Sequence, residues 1–271
     1  MIMCVNNNKI SRVSMLVMVI ISSILSLASC KKEERINRNS TLILDFRDKS
    51  CRQNTDMYLS VMNKSGKVVI SEYIHLERLS DSVLVYKVPD GVLTCSVVAG
   101  DDGLADDRGA VKIPLGKPCP PLYAWKRDIK CIAGSKSVSQ VFMHKEHTVL
   151  RLRINSTTCG SVNSAVVVGD VDGLGYDGSC SKGDFYVSCD IKDRELQLVL
   201  PRQDDPSLYM EIRDREGALR RFALGNYIYE SGYDWQGLEL EDIDINLDLV
   251  SSKIIMSYAD IVEEKSFEII I

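Results

Sequence analysis

Three histidines, two acidic clusters and nine cysteines are the residues whose types could bind a metal or attack a substrate. His144 and His147 flank Glu146, a spacing that would place both imidazoles on one helical face. The surrounding Val141-Phe142-Met143 and Val149-Leu150 read as strand, where positions three apart face opposite ways. Solvent-facing imidazoles are therefore expected, and no metal. The segment from Gly169-Asp170-Val171-Asp172-Gly173 to Asp177 resembles the front of a calcium loop but lacks the bidentate acid that closes one. It reads as an acidic turn. Asp101, Asp102, Asp106 and Asp107 read as a second, solvated acidic loop. There is no GxSxG elbow and no glycine-rich phosphate cradle. Carboxylate pairs such as Asp242 and Asp244 fall on a strand face that solvation explains without glycosidase chemistry. No cofactor and no enzymatic activity are expected.

One cysteine stands apart by its position. Lys9 and Arg12 precede an apolar stretch from Val13 to Leu27, which ends in Leu27-Ala28-Ser29-Cys30. A basic region, a short hydrophobic run and small residues are the layout of a secretory leader. The run is short and serine-interrupted for a bilayer span, which needs about 20 apolar residues. The last four residues resemble a bacterial lipobox, in which the cysteine thiol takes a diacylglycerol and becomes residue one after cleavage. On this reading residues 1–29 are a lipoprotein signal peptide and the acyl lipid on Cys30 is the only attached group. Multiple acyl chains anchor a protein stably where one chain does not. Residues 30–40 lack any apolar period and read as a flexible tether. The Lys31-Lys32-Glu33-Glu34 run in it resembles the charged tether of surface-exported lipoproteins of Bacteroidetes.

The whole chain has 33 basic and 38 acidic residues, and removing a leader that holds only Lys9 and Arg12 leaves 31 against 38, a net of −7. That sign argues against nucleic acid as a partner, because phosphates require basic patches. Adhesion to the outer membrane must then come from the lipid. Seven cysteines remain in the mature chain: Cys51, Cys95, Cys119, Cys131, Cys159, Cys180 and Cys189. The number is odd, and an exported compartment permits disulfides. Cys119 with Cys131, and Cys180 with Cys189, each bracket a short segment and are the candidate bridges. Spacing alone leaves the connectivity open.

The elements that must position these residues are strands. Leu42, Leu44 and Phe46 alternate with Ile43 and Asp45. Leu150, Leu152 and Ile154 alternate with Arg151 and Arg153. Phe185, Val187, Cys189 and Ile191 repeat the pattern, as do Leu196, Leu198 and Leu200. Ile243, Ile245, Leu247 and Leu249 alternate with Asp242, Asp244, Asn246 and Asp248. One apolar and one polar face per strand is what a sheet packed on one side requires. Val83 to Tyr86 is apolar on both faces and predicts a strand buried on both sides. Turn signals punctuate these runs at Asn63–Gly66, Pro89–Gly91, Asp214–Gly217 and Gly225-Asn226. No sustained helical period follows the leader. The fold class is all-β, with two β-sandwiches at residues 41–138 and 139–271.

Several segments together carry a family resemblance. Phe222 to Ile228, Gly232-Tyr233-Asp234-Trp235 and Leu240 to Ile245 occur in the second half. Pro89-Asp90-Gly91 leading to Ala99-Gly100, and Pro121-Leu122-Tyr123-Ala124-Trp125, occur in the first. In this order, after a lipobox, they resemble the FimB-type fimbrial anchor and minor subunits of Bacteroidales type V pili. The resemblance implies two tandem transthyretin-like β-sandwich domains. It also implies a surface-exposed outer-membrane lipoprotein that joins a fimbrial shaft subunit by β-strand exchange. Main-chain hydrogen bonds and alternate side chains in pockets would hold such a joint. The candidate donor strand is Phe267, Glu268, Ile269, Ile270 and Ile271, β-prone and almost uncharged; completing its own sandwich is its other reading. Shaft subunits of the family are trimmed after arginine. Arg35 and Arg38 are available here, but an anchor must keep its lipid, so no cleavage is expected. The competing reading is a glycan-binding surface lipoprotein with Trp125, Tyr123, Tyr233 and Trp235 as its platform. In the family reading those aromatics are core.

Overall fold

Alternating strands with one apolar face bury it only by facing another sheet, and the chain does this twice. The computed structural model describes residues 39–48, 50, 56–75, 83–100, 103–155, 164–192, 194–213, 219–248 and 253–266. The leader, Cys30, Arg35, Arg38, Cys51, Cys159, the turn at Asp214–Gly217 and Phe267 to Ile271 lie outside the described residues. Among the described residues no helix is long and apolar enough to cross a membrane.

The first sandwich sets a three-stranded sheet against a five-stranded one. In the small sheet, β1 (Asn39–Asp45) lies between β4 (Val83–Pro89) and β8 (Lys136–Gln140), and runs parallel to β8. The larger, antiparallel sheet has the order β3 (Val68–Ile74), β2 (Met57–Asn63), β5 (Gly91–Ala99), β7 (Tyr123–Cys131), β9 (His144–Lys145). Leu42, Leu44 and Val88 of the small sheet share a core with Met57, Leu59, Val61, Leu93, Val97 and Trp125 of the large one.

In the second sandwich, one sheet has the order β13 (Glu195–Pro201), β10 (His147–Asn155), β16 (Ile243–Asp248), β17 (Lys253–Tyr258), β18 (Ile261–Ser266). The other has the order β12 (Cys180–Asp190), β11 (Ser164–Leu174), β14 (Tyr209–Arg213), β15 (Leu219–Phe222). The expected alternations supply this core. Leu150, Leu152, Leu196, Leu198, Ile243 and Ile245 point in from one sheet, and Val167, Phe185, Val187 and Met210 from the other. The fold is thus all-β and built of β-sandwiches.

Two local expectations are corrected. A two-turn helix, α1 (Leu224–Glu230), buries Leu224, Gly225 and Ile228. Seven residues are too few for a helical period to stand out in a sequence window of 11 or more. Second, β4 is not buried on both sides. It is the edge of the three-stranded sheet, with Val85 60% and Val83 39% exposed. Apolar residues on both faces of a strand do not reveal how many sheets are available to cover it.

The connection from β5 to β7 crosses between the sandwiches. Its short β6 (Val111–Lys112) pairs with β11 at Leu174 and Gly173. Beyond β6, the Ile113 N–H donates to the Asp172 carbonyl at 2.7 Å, and the Gly116 N–H to the Tyr186 carbonyl at 2.8 Å. Val111, Ile113, Cys119 and Leu122 enter the second core. The preceding turn accounts for the described part of the second acidic loop, Asp101 and Asp102 lying outside the described residues. Asp106 Oδ1 accepts from the N–H groups of Arg108 and Ala110, both at 2.9 Å, and the Asp107 carbonyl accepts from the Ser60 hydroxyl at 3.4 Å. This turn covers the outer face of β2 and β5, where Ser60 and Ser96 are buried.

Close backbone approach makes this crossing possible. A Cβ on Gly100 would lie 2.1 Å from the Pro121 carbonyl oxygen, at a φ of +76° that favours glycine. Gly100→Ala is expected to destabilise the fold by about 3 kcal/mol, from combined backbone strain and steric displacement. Urea unfolding followed by tryptophan fluorescence measures it, and an unchanged midpoint would contradict the proposed packing.

Candidate assembly site

The residues singled out in the sequence converge on the passage from β9 to β10. His144 Nδ1 lies 3.0 Å from Glu239 Oε1, and the Lys145 N–H donates to Glu239 Oε2 at 3.0 Å. Lys145 Nζ donates to Asp242 Oδ1 at 2.6 Å, and Arg151 donates to Asp242 Oδ2 at 2.8 Å. Glu146 turns inward to Arg202, whose Nε donates to its carboxylate at 2.5 Å. Arg202 also donates to the carbonyls of Trp235 and Gly237, so that the buried guanidinium is well partnered. The strand reading of the histidines holds, but their expected solvation does not for His147. It is 4% exposed, and its Nδ1 donates to the Leu122 carbonyl at 2.9 Å. Position on a strand predicts a face; it does not predict that the crossing connection covers that face.

Electrostatics follow from this burial. Removal from water raises the Glu146 carboxyl above its ordinary range despite Arg202, and lowers the affinity of His147 for a proton. Burial pushes the Tyr233 phenol up to about 12, and its hydroxyl donates to the Glu241 carbonyl at 2.6 Å. Partial burial also pushes Asp242 upward. Bonds from Lys145, the Val149 N–H and Arg151 outweigh that and hold it below the usual carboxylate range. The arrangement is a clasp of opposite charges. Among the described residues no group of three or more His, Cys, Asp or Glu side chains could hold a metal ion.

The calcium-like segment is mostly strand. Gly169 to Leu174 lie in β11, and Asp172 is buried against Ser181 and Lys112. Lys182 places its ammonium 3.9 Å from Asp170, and 2.5 and 2.7 Å from the neighbouring Asp204 and Asp205. Only Asp177 forms an acidic turn, accepting from the Ser179 N–H at 3.1 Å.

Neither proposed disulfide forms. Cys119 lies in the second core and Cys131 in the first. Cys180 and Cys189 sit on β12, opposite Leu174 and Ala165 respectively. Nine residues along one strand span roughly 30 Å, whereas a bridge needs Cα atoms within about 7 Å. All five described cysteines are free. A short sequence interval suggests a loop only when a turn lies inside it, and here the interval is strand.

The aromatic residues considered for a glycan platform are interior. Trp125, Tyr233 and Trp235 are 6, 6 and 7% exposed, and Tyr123 is half-buried. Tyr233 contacts Trp235 and Tyr258 edge-on, with ring centroids 4.8 and 5.2 Å apart. The candidate donor residues Phe267 to Ile271 follow directly on β18. That strand is the last of its sheet, with no described strand on its outer side. At the other end of the chain, β1 buries Leu42 and Leu44 completely.

No protein-family model matches the sequence, and no curated protein matches it. Solved structures do match the fold. A candidate polysaccharide-binding protein of Bacteroides thetaiotaomicron aligns with a TM-score of 0.61 at 13% identity, covering 82% of this chain and 98% of that one. A candidate adhesin of the same organism aligns at 0.56 and 14%, covering 82% and 96%. A fimbrial anchor protein of Porphyromonas gingivalis aligns at 0.56 and 9%, covering 83% and 98%. The chain is similar in fold to all three over nearly their whole length, and none of them carries an enzyme's name.

Two outcomes are expected from the clasp. Arg202→Leu leaves a buried carboxylate unpaired and should cost about 3 kcal/mol in chemical denaturation. Asp242, with its lowered pKa, contributes stability that is present above about pH 4 and lost as pH falls through its folded value. Melting temperature should therefore drop less steeply between pH 5 and 3 in Asp242→Asn than in the parent; identical slopes would contradict the assignment.

Proposed function

We propose that this chain is a structural, non-enzymatic subunit of a fimbrium of the Bacteroidales type V class. In this reading it is the membrane-proximal anchor that joins the shaft to the outer membrane at the cell surface. The observation that carries the reading is the double β-sandwich, shared with a fimbrial anchor over 83% of the chain. A lipobox-like leader ends at Cys30 of the same sequence. A diacylglycerol on that thiol supplies membrane attachment, which a net negative chain does not obtain from its charge.

The shaft joint in this reading is main-chain pairing by Phe267 to Ile271. Support comes from position and composition. The segment continues from an edge strand, and four of its five residues are apolar. An extended apolar segment pairs readily with a partner's open sheet edge. The glycan-platform alternative has less support, since Trp125, Tyr233 and Trp235 are buried and Tyr123 is half-buried.

Deleting residues 267–271 is expected to reduce cell-attached shaft at least tenfold. The melting temperature and the membrane fractionation of the subunit should stay unchanged. Shaft measured by immunoblot of washed cells decides it, and parental levels of attached shaft would overturn the proposed joint.

A further inference from the structure

We infer that the outer face of the three-stranded sheet rests on the lipid surface to which the chain is tethered. The inference rests on the reading of Cys30 as acylated. On β1 and β8 the paired residues Ile43 and Val138 project outward together, and Val138 is 67% exposed. On β4, Val83, Val85 and Lys87 alternate outward, with Val85 60% exposed. Lys87 Nζ donates to the Thr41 hydroxyl at 2.8 Å, and Thr41 pairs with Lys136. One end of the face therefore carries two lysines, Ile43, Val83, Val85 and Val138 follow, and Gln140 lies beside Asp45 at the far end. At the far end Asp45 is held well down, to about 2, by hydrogen bonds from Arg47, and the two form an ion pair at 2.6 Å. In a mature chain of net charge −7, this face presents two cationic groups, apolar side chains and a neutralised carboxylate.

The tether limits what can cover it. Eight residues separate Cys30 from Asn39, the first residue of β1. Fully extended, that interval reaches about 30 Å, and as a coil roughly 17 Å. The lysine end of the face is the end at which β1 begins, so it is the end at which the tether joins. The tether itself holds Lys31, Lys32, Arg35 and Arg38 against Glu33 and Glu34. Basic tether, lysine rim and exposed valines together match an anionic headgroup layer over its acyl boundary. The edge position of β4 and the outward Val138 are unfavourable in water and favourable at that boundary.

The test uses the acylated full chain, with the mature-chain cysteines other than Cys30 replaced by alanine, carrying an environment-sensitive fluorophore on Val138→Cys, and on Tyr229→Cys as the control. Both sites are exposed, at 67 and 68%, so labelling should leave the fold intact, checked by near-ultraviolet circular dichroism. Each protein is reconstituted into vesicles of phosphatidylethanolamine and phosphatidylglycerol, then floated on a density gradient. The expected result is co-flotation of both proteins, with the Val138 probe quenched by brominated lipid at least threefold more than the Tyr229 probe. Co-flotation with equal quenching overturns the docking and leaves the lipid anchor standing. Failure to float overturns both. A Val138 probe already shielded in detergent, increasingly so with protein concentration, assigns the face to a second copy and overturns the docking.

Discussion

The seam made by the β5–β7 connection is the constraint on which the rest of the fold depends. Once β6 lies against β11, every polar main-chain group around it has to find a partner, because buried N–H and C=O groups are costly unpaired. Asp172 and Tyr186 supply carbonyls to Ile113 and Gly116, and Leu122 accepts from both the Glu146 N–H and the His147 imidazole. Val98, Leu122 and Ala124, from strands and loops of the first half, then belong to the second core. Residues 40–271 form one compact unit as a result. Domains joined only by a linker are expected to move against each other, and this pair is joined by hydrogen bonds and shared core.

The ionic clasp sits on the same seam and depends on it. Glu146 meets Arg202 because the main chain of each is already paired, the Arg202 N–H donating to the Glu146 carbonyl at 3.1 Å. Isolated ion pairs contribute little, and a buried pair adds stability only when further bonds satisfy its remaining donors. The carbonyls of Trp235 and Gly237 do that here. The contacts of this joint are distributed over main chain, core and charge.

Each run of alternation named in the sequence falls on a strand, six of the eighteen among the described residues, and in five of them the apolar face is the buried one. Leu150, Leu152 and Ile154 are buried between exposed Arg151 and Arg153, and Ile243, Ile245 and Leu247 behave alike. The errors share one cause. His147, the outward valines of β4 and the cysteine pairs all required knowing what lies across from a strand, and periodicity carries only the strand's own two faces. The Glu146–Arg202 contact was illegible for the same reason. The two residues stand 56 positions apart, and nothing in the local sequence of either points to the other.

By itself the sequence determined that the chain is built of sheets, and which residues of the alternating runs line a core face. These are local properties, set by side-chain period and by short motifs. Tertiary structure decided which sheets face each other, that a loop of the first half completes the second, and which apolar residues remain in solvent. Those outcomes depend on main-chain pairing between distant segments, and every residue has the same main chain, so the amino-acid identities do not encode the choice of partner locally.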